Sequence, residues 1–266
     1  MLRFLYATAS GRLTLKLLTT RGVSRVAGKF MDSRASRALI GPFVRKNGID
    51  LSEYVPARYA SFNEFFTRRV RPECRPIDFA PDALIAPCDG RLSAYRITDQ
   101  SEFRIKNSVY SVQTLLGNDP RASHFRGGTC LVFRLCVDDY HRYPSFDDCT
   151  IEPSRFIPGV LHTVRPIALE HTDVFHQNCR ETTFLHTAHF GLAAQIEVGA
   201  MLVGRICNHP PRPDIRRGDE KGCFLYGGST VVLLLPPNAA RFPESLFEDT
   251  ARGLETRVKM GQRLSI

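Results

Sequence analysis

The sequence predicts an α+β fold in which N-terminal helices precede a β-rich body. Residues 2–18 and 20–45 carry apolar residues at helical spacing. From Ala83 onward the apolar residues instead form short runs of Val, Ile, Leu and Phe between Gly, Pro and Asp, which is typical of strands. A chain of 266 residues with 43% hydrophobic residues is long enough to bury a substantial core.

The N-terminal segment carries most of the positive charge. The first 50 residues contain ten Lys and Arg residues but only two acidic ones, Asp32 and Asp50, while the whole chain has a net charge of +9. The rest of the chain is therefore close to neutral. A basic segment of this kind suits an anionic partner, either nucleic acid or the surface of an acidic bilayer.

An apolar stripe within this segment favours the bilayer. Val23, Val26, Ala27, Phe30 and Met31 follow the spacing of one helix face. We therefore predict an anionic membrane surface as a partner and no nucleic acid. Packing of the stripe against the protein's own core produces the same spacing, so that alternative stays open.

The sequence lacks the patterns of a spanning helix and of a metal site. Charged residues interrupt the leucine-rich residues 2–18 well short of the ~20 apolar residues that a spanning helix needs. We expect no such helix and no cleaved signal peptide. Eight cysteines are scattered without Cys-x-x-Cys or zinc-type spacing, so we expect reduced thiols and assign no metal.

The β-rich body begins with a short helix. Ser61 and Glu64 stand at capping-box spacing before Phe65 and Phe66, which predicts a helix start. Strands are then predicted at residues 83–85, 92–97, 130–137, 182–187, 193–198, 201–207 and 230–235. Two of these runs, 130–137 and 230–235, are apolar enough to be central strands. We predict a helical, membrane-associating segment over residues 1–60 and a β-rich domain over 61–266.

Three short segments contain residues that could carry chemistry. Ser229 follows Gly227 and Gly228 directly before a buried strand, where the glycines allow a close approach to the carbonyl of Gly228. His141 follows a strand and could act as a general base. Asp89 stands at a turn, where a carboxylate could orient an imidazole. Each segment also has an ordinary interpretation, as a tight turn, a surface histidine or a hairpin.

Together, these segments resemble the phosphatidylserine decarboxylase family. The resemblance includes the sequences Cys88-Asp89-Gly90, Asp139-Tyr140-His141 and Gly228-Ser229-Thr230. Further family-like segments lie at residues 65–69, 159–164, 178–181, 190–191, 197–204 and 217–222. They occur in the family's order over about residues 60–236. The Gly-Gly-Ser-Thr form is similar to that of one bacterial branch.

The resemblance implies a self-made pyruvoyl cofactor. Ser229, deprotonated by His141 with Asp89 steadying the imidazole, attacks the carbonyl of Gly228 and converts the amide to an ester. Elimination then cuts the chain into residues 1–228 and 229–266, and hydrolysis of the resulting dehydroalanine leaves a pyruvoyl group at position 229. The fragments form a heterodimer, or a dimer of such heterodimers.

The family's activity implies a membrane enzyme. The pyruvoyl ketone forms a Schiff base with phosphatidylserine and accepts electrons as CO2 leaves, which yields phosphatidylethanolamine. We therefore expect a carboxy-lyase bound peripherally to the cytoplasmic side of the cell membrane. Two alternatives remain: a pyruvoyl decarboxylase of another serine lipid or a soluble amino acid, and a non-catalytic membrane-binding β-domain.

One departure from the family pattern concerns proton transfer. Many relatives have a second histidine three residues after the first, where this chain has Pro144. Either His141 performs both proton transfers, or His186 or His189 acts from another strand.

Overall fold

The structure is a computed structural model, and it describes residues 2–105, 108–164, 166–169, 171–200, 205–210, 212, 214–226 and 229–266. The α-helices are α1 (Leu2–Ala7), α2 (Ala9–Leu18), α3 (Arg21–Met31), α4 (Ile40–Asn47), α5 (Phe62–Phe66), α6 (Val112–Leu115), α7 (Pro166–Leu169), α8 (Val174–Gln177) and α9 (Glu244–Ala251). The strands are β1 (Gly90–Arg96), β2 (Glu102–Ile105), β3 (Ser108–Ser111), β4 (Thr129–Leu135), β5 (Arg142–Pro144), β6 (Cys149–Ile151), β7 (Arg155–Ile157), β8 (Arg180–Thr187), β9 (Gly191–Val198), β10 (Ile206–Asn208), β11 (Glu220–Phe224), β12 (Ser229–Leu235) and β13 (Thr256–Val258). The predicted α+β class is confirmed.

A large antiparallel sheet forms the centre of the molecule. Its strand order is β13-β1-β4-β12-β9-β8-β6, and β7 also pairs with β8. The two most apolar predicted strands, β4 and β12, lie side by side in the middle, as expected. A three-stranded sheet, β10-β11-β5, and the hairpin β2-β3 complete the β-structure of the described residues.

Both faces of the central sheet are buried. Along β12, Val232 and Leu234 face one apolar core, while Val231 and Leu233 face the other. The N-terminal helices and the β2-β3 hairpin contribute to the first core, and the three-stranded sheet and α9 contribute to the second. Burial on both sides explains why β12 is a continuous apolar run rather than an alternating one.

The N-terminal helices pack on the body through part of their surface. Leu5 and Leu15 are buried in the first core. On α3, Ser24 and Gly28 form the buried side, whereas Val26 and Phe30 of the predicted stripe are 71% and 47% exposed. The outer part of the stripe therefore does not enter the protein core. Within the described residues, no helix is long and apolar enough to cross a membrane.

The helical stretch predicted over residues 20–45 is helical but divided into three pieces. Helix α3 ends at Met31, a 3-10 helix spans Arg34–Leu39, and α4 follows. Ser36 explains the break, because its Oγ donates to the carbonyl of Met31 (2.9 Å) and accepts from the backbone N–H of Phe62 (2.8 Å). The helix predicted over residues 2–18 is likewise divided into α1 and α2.

Other predicted elements have mixed outcomes. The helix start at Ser61 is confirmed, since its side chain accepts from the backbone N–H of Glu64 at 3.2 Å. The strand predicted at 83–85 is wrong, because Ile85 forms only an isolated bridge to Arg263 and Pro87 has no N–H to extend it. Of the strand predicted at 201–207, residues 201–204 lie outside the described residues, and β10 begins at Ile206.

Candidate active site

The three predicted site residues gather at one end of the central sheet. Ser229 begins β12 opposite Leu135, the last residue of β4. Asp89 directly precedes β1, which pairs with the other side of β4. Because neighbouring strands lie ~4.8 Å apart, Asp89 and Ser229 are separated by two strand spacings, about 10 Å. His141 lies in the connection after β4, and its carbonyl accepts from the backbone N–H of Phe224 on the strand that leads towards Ser229 (2.9 Å).

Ser229 presents a buried hydroxyl. The side chain is 1% exposed, and by strand alternation it lies on the sheet face of Val231 and Leu233. Its Oγ has no hydrogen-bond partner in the described part of the chain. Leaving a buried polar group unpaired costs about 1–3 kcal/mol, so such a group calls for an explanation. The predicted cleavage point at Gly228 lies outside the described residues.

His141 presents a buried basic nitrogen. The imidazole is fully buried, and Nδ1 lies 2.8 Å from the carbonyl oxygen of Asp139. A carbonyl oxygen can only accept, so Nδ1 carries the proton and Nε2 carries the lone pair. Nε2 has no partner among the described residues. Burial lowers the pKa of His141 to about 3, helped by the positive charge of Arg68, so the imidazole is neutral near pH 7.

Helix α5 forms an apolar wall beside the imidazole. The ring of Phe66 lies 4.0 Å from the ring of His141 and 5.3 Å from that of Tyr226, centre to centre. Asn63 on the same helix accepts from the backbone N–H of Tyr226 at 3.0 Å. This helix therefore contacts both the imidazole and the segment just before residues 227–228.

The expected contact between Asp89 and His141 is not formed. The Asp89 carboxylate instead accepts two hydrogen bonds from Arg75, at 2.8 and 2.6 Å, and one from the backbone N–H of Met260 at 2.8 Å. The buried guanidinium of Arg75 thus donates to both carboxylate oxygens of Asp89. The group that orients His141 is the Asp139 carbonyl, which residue identity could not reveal.

A cavity of about 140 Å³ lies between Asp89 and the loop that follows β4. Asp89, Asp138, Asp139 and Tyr54 line it, together with Arg75. Burial, and then the charges of Asp138 and Asp89, raise the pKa of Asp139 to about 6. The cavity therefore holds a carboxyl group that titrates close to the physiological range.

Comparison with known proteins establishes the family of the chain. A profile of the family described as phosphatidylserine decarboxylase matches residues 62–265. The chain belongs to the phosphatidylserine decarboxylase family. It is 42% identical to phosphatidylserine decarboxylase proenzyme 2 of Clostridium acetobutylicum, over 99% of this chain and 90% of that protein. It is 39% identical to the phosphatidylserine decarboxylase proenzyme of Desulfitobacterium hafniense, over 100% and 91% of the two chains.

A buried arginine lies beside the His141 site of this family member. Arg68 is 2% exposed, stacks over the ring of Tyr54 at 4.1 Å and donates to the Tyr54 hydroxyl at 3.0 Å. Its Nε and Nη1 have no partner within the residues described. Its charge makes protonation of His141 less favourable. Arg68 lies in the family-like segment 65–69, but its position beside His141 depends on the fold and could not be predicted from the sequence.

A buried ion cluster joins the central sheet to the strand before Ser229. Lys221 on β11 donates to Glu197 on β9 and to Asn208 on β10, both at 2.9 Å. Glu197 is fully buried opposite Val231, on the sheet face of Ser229. The cluster therefore ties three strands together next to the start of β12. Sequence reasoning missed it, because the three residues are far apart in the chain.

His186 and His189 lie at the other end of the sheet. His186 pairs with Leu192, whereas Thr230, next to Ser229, pairs with Val198 at the opposite end of β9. Six residues along a strand span about 20 Å. The two side chains bind Glu152 and Asp147, respectively. Neither histidine can reach Ser229 in this fold.

A groove of about 430 Å³ runs beside α3. Arg25 and Lys29 contribute positive charge to it, and Phe156 and Leu161 contribute apolar surface. Cys179, which directly precedes β8, also lines it, so the groove lies at the same end of the sheet as Ser229. In the lining, the cations Arg25, Lys29 and Arg205 outnumber the single carboxyl group, that of Glu181, so the groove suits an amphipathic anion.

Proposed function

We propose that this chain decarboxylates phosphatidylserine to phosphatidylethanolamine, using a pyruvoyl group that it makes from Ser229. Membership of the family and the names of its relatives support the substrate and the processing of a proenzyme. One observation supports the site: the Ser229 hydroxyl and the His141 Nε2 are both buried without partners in the described chain, at one end of the sheet.

Self-cleavage is proposed to begin with proton transfer from Ser229 Oγ to His141 Nε2. The hydroxyl oxygen then attacks the carbonyl of Gly228 and converts the peptide bond to an ester. Loss of the Ser229 Cα proton breaks the Cβ–O bond of the ester, which releases a chain that ends at Gly228 and leaves dehydroalanine at position 229. Water then hydrolyses the dehydroalanine, which loses ammonia and becomes the pyruvoyl group. The Asp139 carbonyl keeps Nε2 unprotonated at the start of this sequence. Asp89 is proposed as a positioning residue, acting through Arg75 and the backbone of Met260.

The residues around position 229 fit a pyruvoyl group. When formed, this group supplies an electron sink for the electron pair that CO2 leaves behind. The backbone of residue 229 is held against Leu135, in a buried position that limits water access. His141 is proposed to return a proton to the substrate carbon, because Nε2 is a buried nitrogen free to carry it.

The two fragments are proposed to remain together as a heterodimer. After cleavage, β12 would begin the second fragment, yet it lies between β4 and β9 of the first. All seven residues of β12 are buried, so separation would expose the centre of both cores.

The N-terminal segment is proposed to hold the enzyme on an anionic bilayer, peripherally and on the cytoplasmic side. Val26 and Phe30 expose apolar surface next to the exposed cations Arg25 and Lys29. Each cation near an anionic surface contributes about 1 kcal/mol. The neighbouring groove offers basic and apolar surface to a phospholipid headgroup and the start of its chains.

Lipid analysis tests the proposed reaction. Purified protein is incubated with vesicles that contain phosphatidylserine, and the lipids are separated. We expect phosphatidylethanolamine with the wild type and none with Ser229→Ala. Free serine serves as the comparison substrate, and turnover of serine without turnover of the phospholipid would contradict the proposal.

A further inference from the structure

Two cysteines face each other across the small sheet. Cys207 on β10 pairs directly with Cys223 on β11. The flanking backbone hydrogen bonds, from Leu225 to Arg205 (3.1 Å) and from His209 to Lys221, place the two cysteines at a hydrogen-bonded position of the ladder. Cα atoms at such a position lie about 5.5 Å apart, which is within the ~4.4–6.8 Å range of disulfides. The Cβ atoms lie about 5 Å apart, so the two strands must approach by roughly 1 Å for the bond to form.

The two thiols differ in how easily they ionise. Both cysteines are reduced and partly exposed. The neighbouring thiol of Cys223, and then the guanidinium of Arg205, lower the pKa of Cys207, although burial opposes this. Cys207 is therefore the member of the pair that ionises more easily, and the thiolate is the reactive form of cysteine.

Three of the other cysteines contrast with this pair. Cys88 and Cys130 are fully buried, and burial raises the pKa of each thiol. Burial likewise raises the pKa of Cys149 to about 11. These three thiols are therefore poor nucleophiles, while Cys207 has both access to solvent and a second cysteine directly opposite it.

We propose that Cys207 and Cys223 form a reversible disulfide, with a low-molecular-weight disulfide as the oxidant. The Cys207 thiolate attacks one sulfur of the small disulfide, which forms a mixed disulfide and expels one small thiolate. The sulfur of Cys223 then attacks Cys207 Sγ and expels the second small thiol. The protein loses two hydrogen atoms in total, and the small disulfide is reduced to two thiols.

The bond would lie close to the cleavage point without joining the two fragments. Cys207 and Cys223 both precede Gly228, so both belong to the first fragment. The bond would cross-link β10 to β11, the strand that leads towards Ser229. The proposal does not depend on decarboxylase activity, because it concerns only the thiols of the folded chain.

Thiol mass spectrometry tests the proposal. Purified full-length protein is incubated with oxidised glutathione, free thiols are alkylated, and the mass and peptide map are recorded. We expect two of the eight cysteines to escape alkylation, a protein two hydrogen atoms lighter before alkylation, and a cross-link between the peptides of Cys207 and Cys223. Reduction should restore both thiols.

Variants separate the two steps. Cys223→Ser should retain glutathione on Cys207, because no second thiol is present to release it. Cys207→Ser should form no cross-link, while Cys74→Ser, which removes another partly exposed thiol, should behave as the wild type. Eight alkylated cysteines in the oxidised wild type, or a cross-link between other cysteines, would overturn the proposal without any variant being needed.

Discussion

The carbonyl oxygen of Asp139 lies 2.8 Å from Nδ1 of His141, and this contact determines which nitrogen of the imidazole can accept a proton. Nδ1 is occupied as a donor, so Nε2 is the basic atom. Since the contact uses a backbone oxygen, replacing the Asp139 side chain need not abolish it. The orientation of the base is therefore a property of the connection after β4.

Replacing His141 should slow maturation strongly. In His141→Ala the Ser229 hydroxyl has no buried base, so we expect self-cleavage to slow by about 10²–10⁴-fold, the usual contribution of general base catalysis. Denaturing electrophoresis of samples taken over time measures the uncut fraction. His186→Ala is the matched control, because this histidine lies at the far end of the sheet. Cleavage of His141→Ala at the wild-type rate would show that another residue is the general base.

The stability of the chain should depend on both His141 and Asp139 in acid. Burial holds the pKa of His141 at about 3, below its ordinary value of 6.5, so its contribution to folding stability is lost as the pH falls below 6.5. The pKa of Asp139 is raised from 3.8 to about 6, so this carboxyl favours the folded state as the pH falls through the same range. Between about pH 6 and 4 the two effects oppose each other.

The Asp139→Asn substitution removes the effect of the Asp139 carboxyl on stability and leaves the effect of His141 in place. The comparison is made in a Ser229→Ala background, where the chain stays uncut. The parent, which keeps Asp139, should lose stability less steeply on acidification than the Asp139→Asn variant. Melting temperatures recorded from pH 7 to about pH 4 measure the difference. Parallel curves for the two proteins would show that Asp139 does not titrate in this range.

Removing only one partner of the Lys221–Glu197 pair should destabilise the fold more than removing both. Lys221→Met leaves the carboxylate of Glu197 buried without its cation, which we expect to cost about 3–5 kcal/mol in the free energy of unfolding. Adding Glu197→Gln removes that charge and should restore part of the loss. Denaturant titration in the Ser229→Ala background measures both. A double variant no more stable than Lys221→Met would contradict this account.

Membrane binding should depend on the exposed side of α3. Val26→Glu together with Phe30→Glu adds two negative charges and removes exposed apolar surface, so binding to anionic vesicles should weaken. Sedimentation with vesicles, at low and high salt, measures it. Leu254→Glu is a control at an exposed apolar residue outside the N-terminal segment. Deleting the first helices is a poorer test, because Leu5 and Leu15 belong to the core.

Several features of the fold could be predicted because they depend on local patterns. The apolar run of β12 indicated a central strand, and the spacing of Ser61 and Glu64 indicated a helix start. The break near Ser36 could not be predicted, because it depends on a hydrogen bond with Phe62, which is 26 residues away.

The candidate site was likewise only partly predictable from the sequence. Ser229 and His141 were found through short motifs, and the fold brings their segments to one sheet end. Asp89 was also found, but its partner Arg75 was not, because only the folded chain brings that guanidinium to it. The pairing of Cys207 with Cys223 depends on the register of β10 and β11. The two cysteines are not in a Cys-x-x-Cys motif, so the sequence does not indicate that they are neighbours.

The intact mass of the purified chain tests the central claim most directly. The account predicts two fragments, divided between Gly228 and Ser229, with the second fragment carrying a ketone that reacts with amines. The Ser229→Ala variant should remain a single chain of about the full 30.0 kDa. A wild-type protein that stays one uncut chain of that mass, yet is folded, would contradict the account.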